Sequence, residues 1–151
     1  MKLTPAQVKN LMRRGLRFLV DPEPERAEKD RMIAFFEHSC AYCGVQIPVG
    51  DGDIDHLVSS AKGGRNHISN RAYSCKRCNA EEKREADWQE FLVQKYGNTS
   101  TMELRRSKIR QWIESEGAVP PLSDATLRTV EEQSRKVTEA YDEACRQVRD
   151  A

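Results

Sequence analysis

Five cysteines, and the polar residues lying between four of them, are where this chain can do chemistry. Cys40-x2-Cys43 and Cys75-x2-Cys78 are two pairs separated by 31 residues. A pair with this spacing turns two sulfurs toward one ion. Two such pairs complete a tetrahedral shell of four thiolates, the usual structural zinc arrangement. A closed shell leaves no open coordination position, so this zinc is a staple and not a catalyst. Cys145 is remote in sequence and reads as a small, partly buried hydrophobe. Between the pairs lie Asp53, Asp55, His56, Asn66, His67 and Asn70, and Asn79 follows the last cysteine of the set. Carboxylate and amide oxygens suit a hard cation such as Mg2+ or Mn2+. A histidine with an unperturbed pKa of about 6.5 is available as a neutral base at pH 7. A base and a hard cation together are what phosphodiester hydrolysis requires. Lys83 lies four residues after Asn79, on the same helical face, where it can hold a phosphate. Lys62, Arg65 and Arg71 can do the same.

The run Asp55-His56-Leu-Val, then Lys62-Gly63-Gly64, then Asn70, then Cys75-x2-Cys78-Asn79-x3-Lys83 resembles an HNH endonuclease of the zinc-bearing subclass. The resemblance covers about residues 39–84. It implies a ββα-metal core pinned by a four-cysteine zinc site, cleavage of DNA by water attack, and a 5′-phosphate product end. By position, Asp55 matches the carboxylate that holds the catalytic Mg2+ or Mn2+. His56 matches the general base, and Asn70 the asparagine that braces the loop between hairpin and helix. Asn79 stands where the last motif histidine often stands, and its amide oxygen implies a second ligand to the hard cation. One geometric condition applies. Neighbours in a regular strand point to opposite faces. Asp55 and His56 therefore serve one site only if the strand bends or ends there, or if substrate and metal lie across its edge. Asn66 competes with Asn70 for the bracing role, though the interval from Asn70 to Cys75 fits better. His67 is off the motif and reads as structural or exposed. Two other readings stay open: a non-catalytic zinc-ribbon nucleic-acid-binding module and a zinc-stabilised protein-interaction domain.

The elements that must position these residues follow from patterning. The chain has 151 residues, and Leu, Ile, Val and Phe account for only 29 of them. A core that thin needs a staple, which zinc supplies. The net charge of +1 hides blocks. Residues 57–84 sum to +5, directly after an acidic stretch, as suits a phosphate track beside a metal site. No apolar run reaches the ~20 residues of a membrane span. Residues 1–20 have neither a signal-peptide apolar stretch nor a cleavage site. The expected location is therefore intracellular and cytoplasmic, where thiols stay reduced.

Thr4-Pro5 starts a first helix. A second is expected over 24–38. Strands are expected over 45–49 and 53–58, joined by a Gly50–Gly52 turn. A polar helix over 76–85 is expected to continue to Gly97. Two more helices, over 102–116 and 123–149, complete the chain. The last carries a heptad-like seam. Packing of that seam on the chain's own helices is favoured over a homodimeric coiled coil. Trp88 and Trp112 read as core. The predicted fold is α+β and mostly helical, a small zinc-stapled ββα-metal core flanked by N- and C-terminal helices. The expected divisions are 1–38, 39–97 and 98–151.

Overall fold

The structure, a computed structural model, describes residues 3–151. Helix α1 (Pro5–Phe18) starts as its sequence requires. Thr4 accepts from the Gln7 backbone N–H, Gln7 returns a bond to the Thr4 N–H, and Pro5 occupies the first turn. Helix α2 spans Arg26–Phe35. Strands β1 (Asp53–His56) and β2 (Arg71–Ser74) form a two-stranded antiparallel sheet. A π-helical segment, Arg77–Lys83, follows β2. Helices α3 (Trp88–Tyr96), α4 (Ser100–Glu116) and α5 (Asp124–Asp150) complete the order, capped by Asp87, Thr99 and Ser123. The class is thus α+β and mostly helical, with a strand–strand–helix core. No helix among the described residues is long and apolar enough to cross a membrane.

The chain divides into two compact units. One holds α1 and α5, which pack on each other, with Lys9 paired to Asp142 at 2.9 Å. Helix α5 buries Ser134 and Thr138, while Leu127, Val137 and Val148 of its seam stay exposed. The other unit is Glu23–Pro121. The sequence boundaries at 38 and 97 run through this second unit.

Its core gathers Met32 and Phe36, Tyr42 of the first cysteine turn, Leu57 and Ile68 of the inter-strand loop, Leu92 of α3, and Ile109 and Trp112 of α4. Trp112 is 1% exposed and packs on Phe35 and Phe36 at centroid distances of 5.1 and 6.0 Å. Its indole N–H reaches the carbonyl oxygens of Ile68 and Arg71. Helix α4 therefore holds the root of β2 by packing and by hydrogen bonds.

Two expectations are corrected. Residues 45–49 are not a strand: the segment makes only an isolated bridge, Ser39 to Gln46, and β1 pairs with β2 instead. Pro48 has no N–H to offer a ladder, and of the alternating apolar residues only Ile47 is buried while Val45 and Val49 face solvent. The polar helix does not run on to Gly97. It closes with an Arg84 N–H to Asn79 carbonyl bond of π type. Arg84 then takes φ 51°, and α3 restarts at the Asp87 cap.

Candidate active site

The first cysteine turn follows α2 and ends at Gly44, whose φ is 75°. Glycine is needed for that turn, and the Arg105 guanidinium of α4 lies over it, 1.9 Å from where a Cβ would stand. The Ala41 N–H donates to the Tyr73 carbonyl, which seats the turn on β2. The second pair begins directly after β2. Together they bring the Sγ atoms of Cys40, Cys43, Cys75 and Cys78 within 4.8 Å of one another. Cys43 and Cys75 are 3.9 Å apart. Tetrahedral zinc with bonds of about 2.3 Å needs sulfurs roughly 3.8 Å apart, so the set fits zinc. Among these thiols the Cys78 side chain, followed by burial and then backbone donors, sets the balance at Cys40, whose pKa is pulled down to about 5. The Cys78 thiol is pushed up by the same contact. Cys145 lies on α5, in the other unit, and is not part of this set.

The register of the sheet decides where the polar side chains go. Asp53 faces Ser74, Ile54 faces Tyr73, Asp55 faces Ala72 and His56 faces Arg71. Asp53 and Asp55 lie on one face of β1, His56 on the other. Opposite Asp55 the small Ala72 leaves room, and Tyr42 and Lys83 fill it. The Tyr42 hydroxyl donates to Asp55 Oδ2 at 2.7 Å, and Lys83 Nζ lies 3.1 Å from the same oxygen. Lys83 also donates to the His56 carbonyl at 2.7 Å. Asn79, four residues before Lys83 on the π-helical segment, donates to Asp53 Oδ2 at 3.3 Å.

On the opposite face His56 meets its cross-strand partner. An arginine N–H can only donate, so Arg71 Nη1 at 3.1 Å makes His56 Nδ1 the acceptor. His56 Nε2 then donates to Asn66 Oδ1 at 3.0 Å. Arg71 is held in turn by Glu23, by the Asn66 side chain and by the Asn66 carbonyl. Burial, and next the Arg71 charge, lower the His56 pKa from 6.5, so the ring is neutral at pH 7.

Asn70 ties the loop between the strands. Its Oδ1 accepts from the Val58 N–H, and its Nδ2 donates to the carbonyls of Val58 and Arg65. A Cβ on Gly64 would lie 1.8 Å from the Val58 oxygen, so the loop closes on Asn70 only with glycine there. His67 stays local, bonded to Ser69.

Four residues were expected to touch phosphate, and the structure separates them. Lys62 and Arg65 are on the loop surface, Lys62 3.9 Å from Glu90 and Arg65 donating to the Pro120 carbonyl. Lys83 and Arg71 are enclosed, 2% and 4% exposed. Lys83 and Arg71 thus lie apart from the surface that carries Lys62 and Arg65. Each long cation is turned inward by an anion it must neutralise, Asp55 for Lys83 and Glu23 for Arg71. The structure thus groups Asp53, Asp55 and Asn79 at one strand–helix junction and His56 with Arg71 across the strand.

A comparison with protein families matches residues 40–92 to the HNH endonucleases. This segment is similar to an HNH endonuclease domain. Comparison with curated proteins and with solved structures gives no match. The matched HNH segment takes in both cysteine pairs, both strands, the π-helical segment and the start of α3. It supports a nuclease-type function, and its four cysteines form a zinc-fitting cluster. Sequence reasoning missed Tyr42 as a partner of Asp55, Asn66 as a partner of His56, and Glu23 as the counterion of Arg71. Tyr42 carried a signal: it sits inside the first cysteine pair, and a tyrosine enclosed there must find a partner for its hydroxyl.

Proposed function

We propose that the chain hydrolyses phosphodiester bonds in DNA with His56 as general base. The observation that carries this reading is the end of β1. There Asp55 and His56 are consecutive, and Asn79 comes from the helix packed on the Asp55 side. The donor set suits a hard cation. Asp55 Oδ2 is taken by Tyr42 and Lys83, while Asp55 Oδ1 accepts no hydrogen bond among the described residues. The Asn79 amide oxygen is likewise open on the same basis. A Mg2+ or Mn2+ ion held by Asp55 and Asn79 supplies charge stabilisation for the phosphoryl and leaving oxygens.

His56 takes the proton of the attacking water as the new O–P bond forms. The bond to the departing sugar oxygen breaks, leaving a 5′-phosphate. For this the Nδ1 lone pair must leave Arg71. Arg71 keeps its bonds to Glu23 and Asn66 when the ring turns, so the guanidinium stays in place. Because β1 ends at His56, substrate lying across that end reaches both faces of the strand. Lys62 and Arg65 on the adjoining loop offer phosphate contacts.

The test is incubation of plasmid DNA with purified, zinc-loaded protein and Mg2+ or Mn2+. Loss of the general base in His56→Ala is expected to cost about 10²–10⁴-fold in cleavage rate, with zinc content unchanged. If His56→Ala cuts as fast as the parent protein, the catalytic reading is wrong. A protein that binds DNA without cutting it makes the zinc-ribbon binding module the better description.

A further inference from the structure

We propose that Tyr42 is a positioning residue that couples the zinc turn to the cation site. Its hydroxyl, together with Lys83, fixes one oxygen of Asp55 and so presents the other to a divalent cation. The proposal rests on the reading of Asp55 as a cation ligand given above.

Tyr42 lies between two zinc-set cysteines and is fully buried. Its ring meets Phe91 edge-on at 5.3 Å, so packing fixes where the hydroxyl points. A phenylalanine would fill the same space. Burying the extra hydroxyl is unfavourable unless it is bonded, and the bond it makes is to Asp55 Oδ2. Lys83, with its side chain wholly enclosed, reaches that same oxygen. One donated hydrogen bond and one ammonium charge on Oδ2 hold that side of the carboxylate. Asp55 as a whole is 7% exposed, yet Oδ1 is not among the sealed, unpartnered side-chain atoms of the described residues. Oδ1 is therefore the oxygen that reaches solvent. The carboxylate is pre-oriented on one side and open on the other, as a ligand to an incoming cation needs to be. The zinc turn carries Tyr42, so the staple and the cation site are joined through one hydroxyl.

The experiment is a Mn2+ titration of zinc-loaded protein, read as free Mn2+ by electron paramagnetic resonance, on the parent chain and on Tyr42→Phe. The variant is expected to keep one zinc per chain and to bind Mn2+ about 10–100-fold more weakly, the usual effect of losing a partner that orients a metal ligand. Unchanged Mn2+ affinity in a zinc-loaded Tyr42→Phe overturns the proposal and leaves the cation site standing. A parent chain that binds no Mn2+ overturns the cation site itself and the proposal with it. Should Tyr42→Phe lose its zinc, a Mg2+ titration of the parent with ring-labelled tyrosine decides. The buried Tyr42 ring-carbon resonance is expected to move with Mg2+ occupancy, and a resonance that stays still overturns the proposal.

Discussion

His56 combines two conditions that set how its activity depends on pH. Burial and the neighbouring Arg71 charge both favour the neutral ring, so its pKa lies below 6.5. Cleavage is therefore expected to hold as pH falls through 6.5 and to decline only below it, measured as initial rate at saturating Mg2+. Removing the charge with Arg71→Gln is expected to move that decline to higher pH. The same shift bears on stability. A group whose folded pKa is depressed is protonated first in the unfolded chain, so stability present above 6.5 is lost as pH falls through the folded value. His56→Gln is expected to reduce that acid-side loss in a urea titration. At this scale the motif letters were legible, but their neighbours were not. Spacing alone marks Lys83 and Arg71 as cations near a phosphate site. Which way a long side chain turns depends on whether an anion lies within its reach there. Asp55 and Glu23 come there only through tertiary folding.

The elements of the core meet at the four-cysteine cluster and at Trp112. Four thiols gathered in the core are expected to make the fold dependent on metal. Metal analysis after extensive dialysis is expected to give one zinc per chain. Stripping it with a chelator is expected to abolish the cooperative thermal transition, while Cys145→Ser leaves zinc content unchanged. Trp112→Phe keeps an aromatic ring in the core but removes the donor shared by the Ile68 and Arg71 carbonyls. A cost of about 1–3 kcal/mol in urea unfolding is expected, as for buried polar groups left unpaired. Helix boundaries were largely readable because caps are local: Thr4, Thr99 and Ser123 each sit one residue before a helix. The partner of β1 was not readable. Residues 45–49 alternate as well as any strand, and they adjoin a tight turn. The strand that pairs is Arg71–Ser74, in which Arg71 through Ser74 are all buried, so its sequence shows no alternation. What selects it is non-local: the α4 indole at its first carbonyl and the cysteine turn bonded to Tyr73.

At the scale of the whole molecule, the loop between the strands carries Lys62 and Arg65. Each lysine or arginine that neutralises a phosphate steepens the fall of log K with log salt by about 0.9. The double variant Lys62→Gln, Arg65→Gln is expected to flatten that slope by about 2 in a DNA-binding titration. An unchanged slope would place the DNA track elsewhere, with the basic α1 as the first candidate. The unit Glu23–Pro121 holds the zinc cluster, both strands and the residues proposed for catalysis. Produced by itself, that segment is expected to bind one zinc and unfold cooperatively.

The pairing of α1 with α5 joins the first helix of the described chain to its last. During synthesis α1 leaves the ribosome long before α5 exists. Its amphipathic face must wait, exposed, while the intervening residues emerge and fold around their metal. Closing so long a loop is slow when the connecting chain is flexible. It is faster when that chain has already collapsed into a compact body. If the intervening unit needs zinc to fold, zinc availability at the ribosome would govern more than that unit. It would also set how long a basic, half-apolar helix stays without its mate and open to chaperones or proteases.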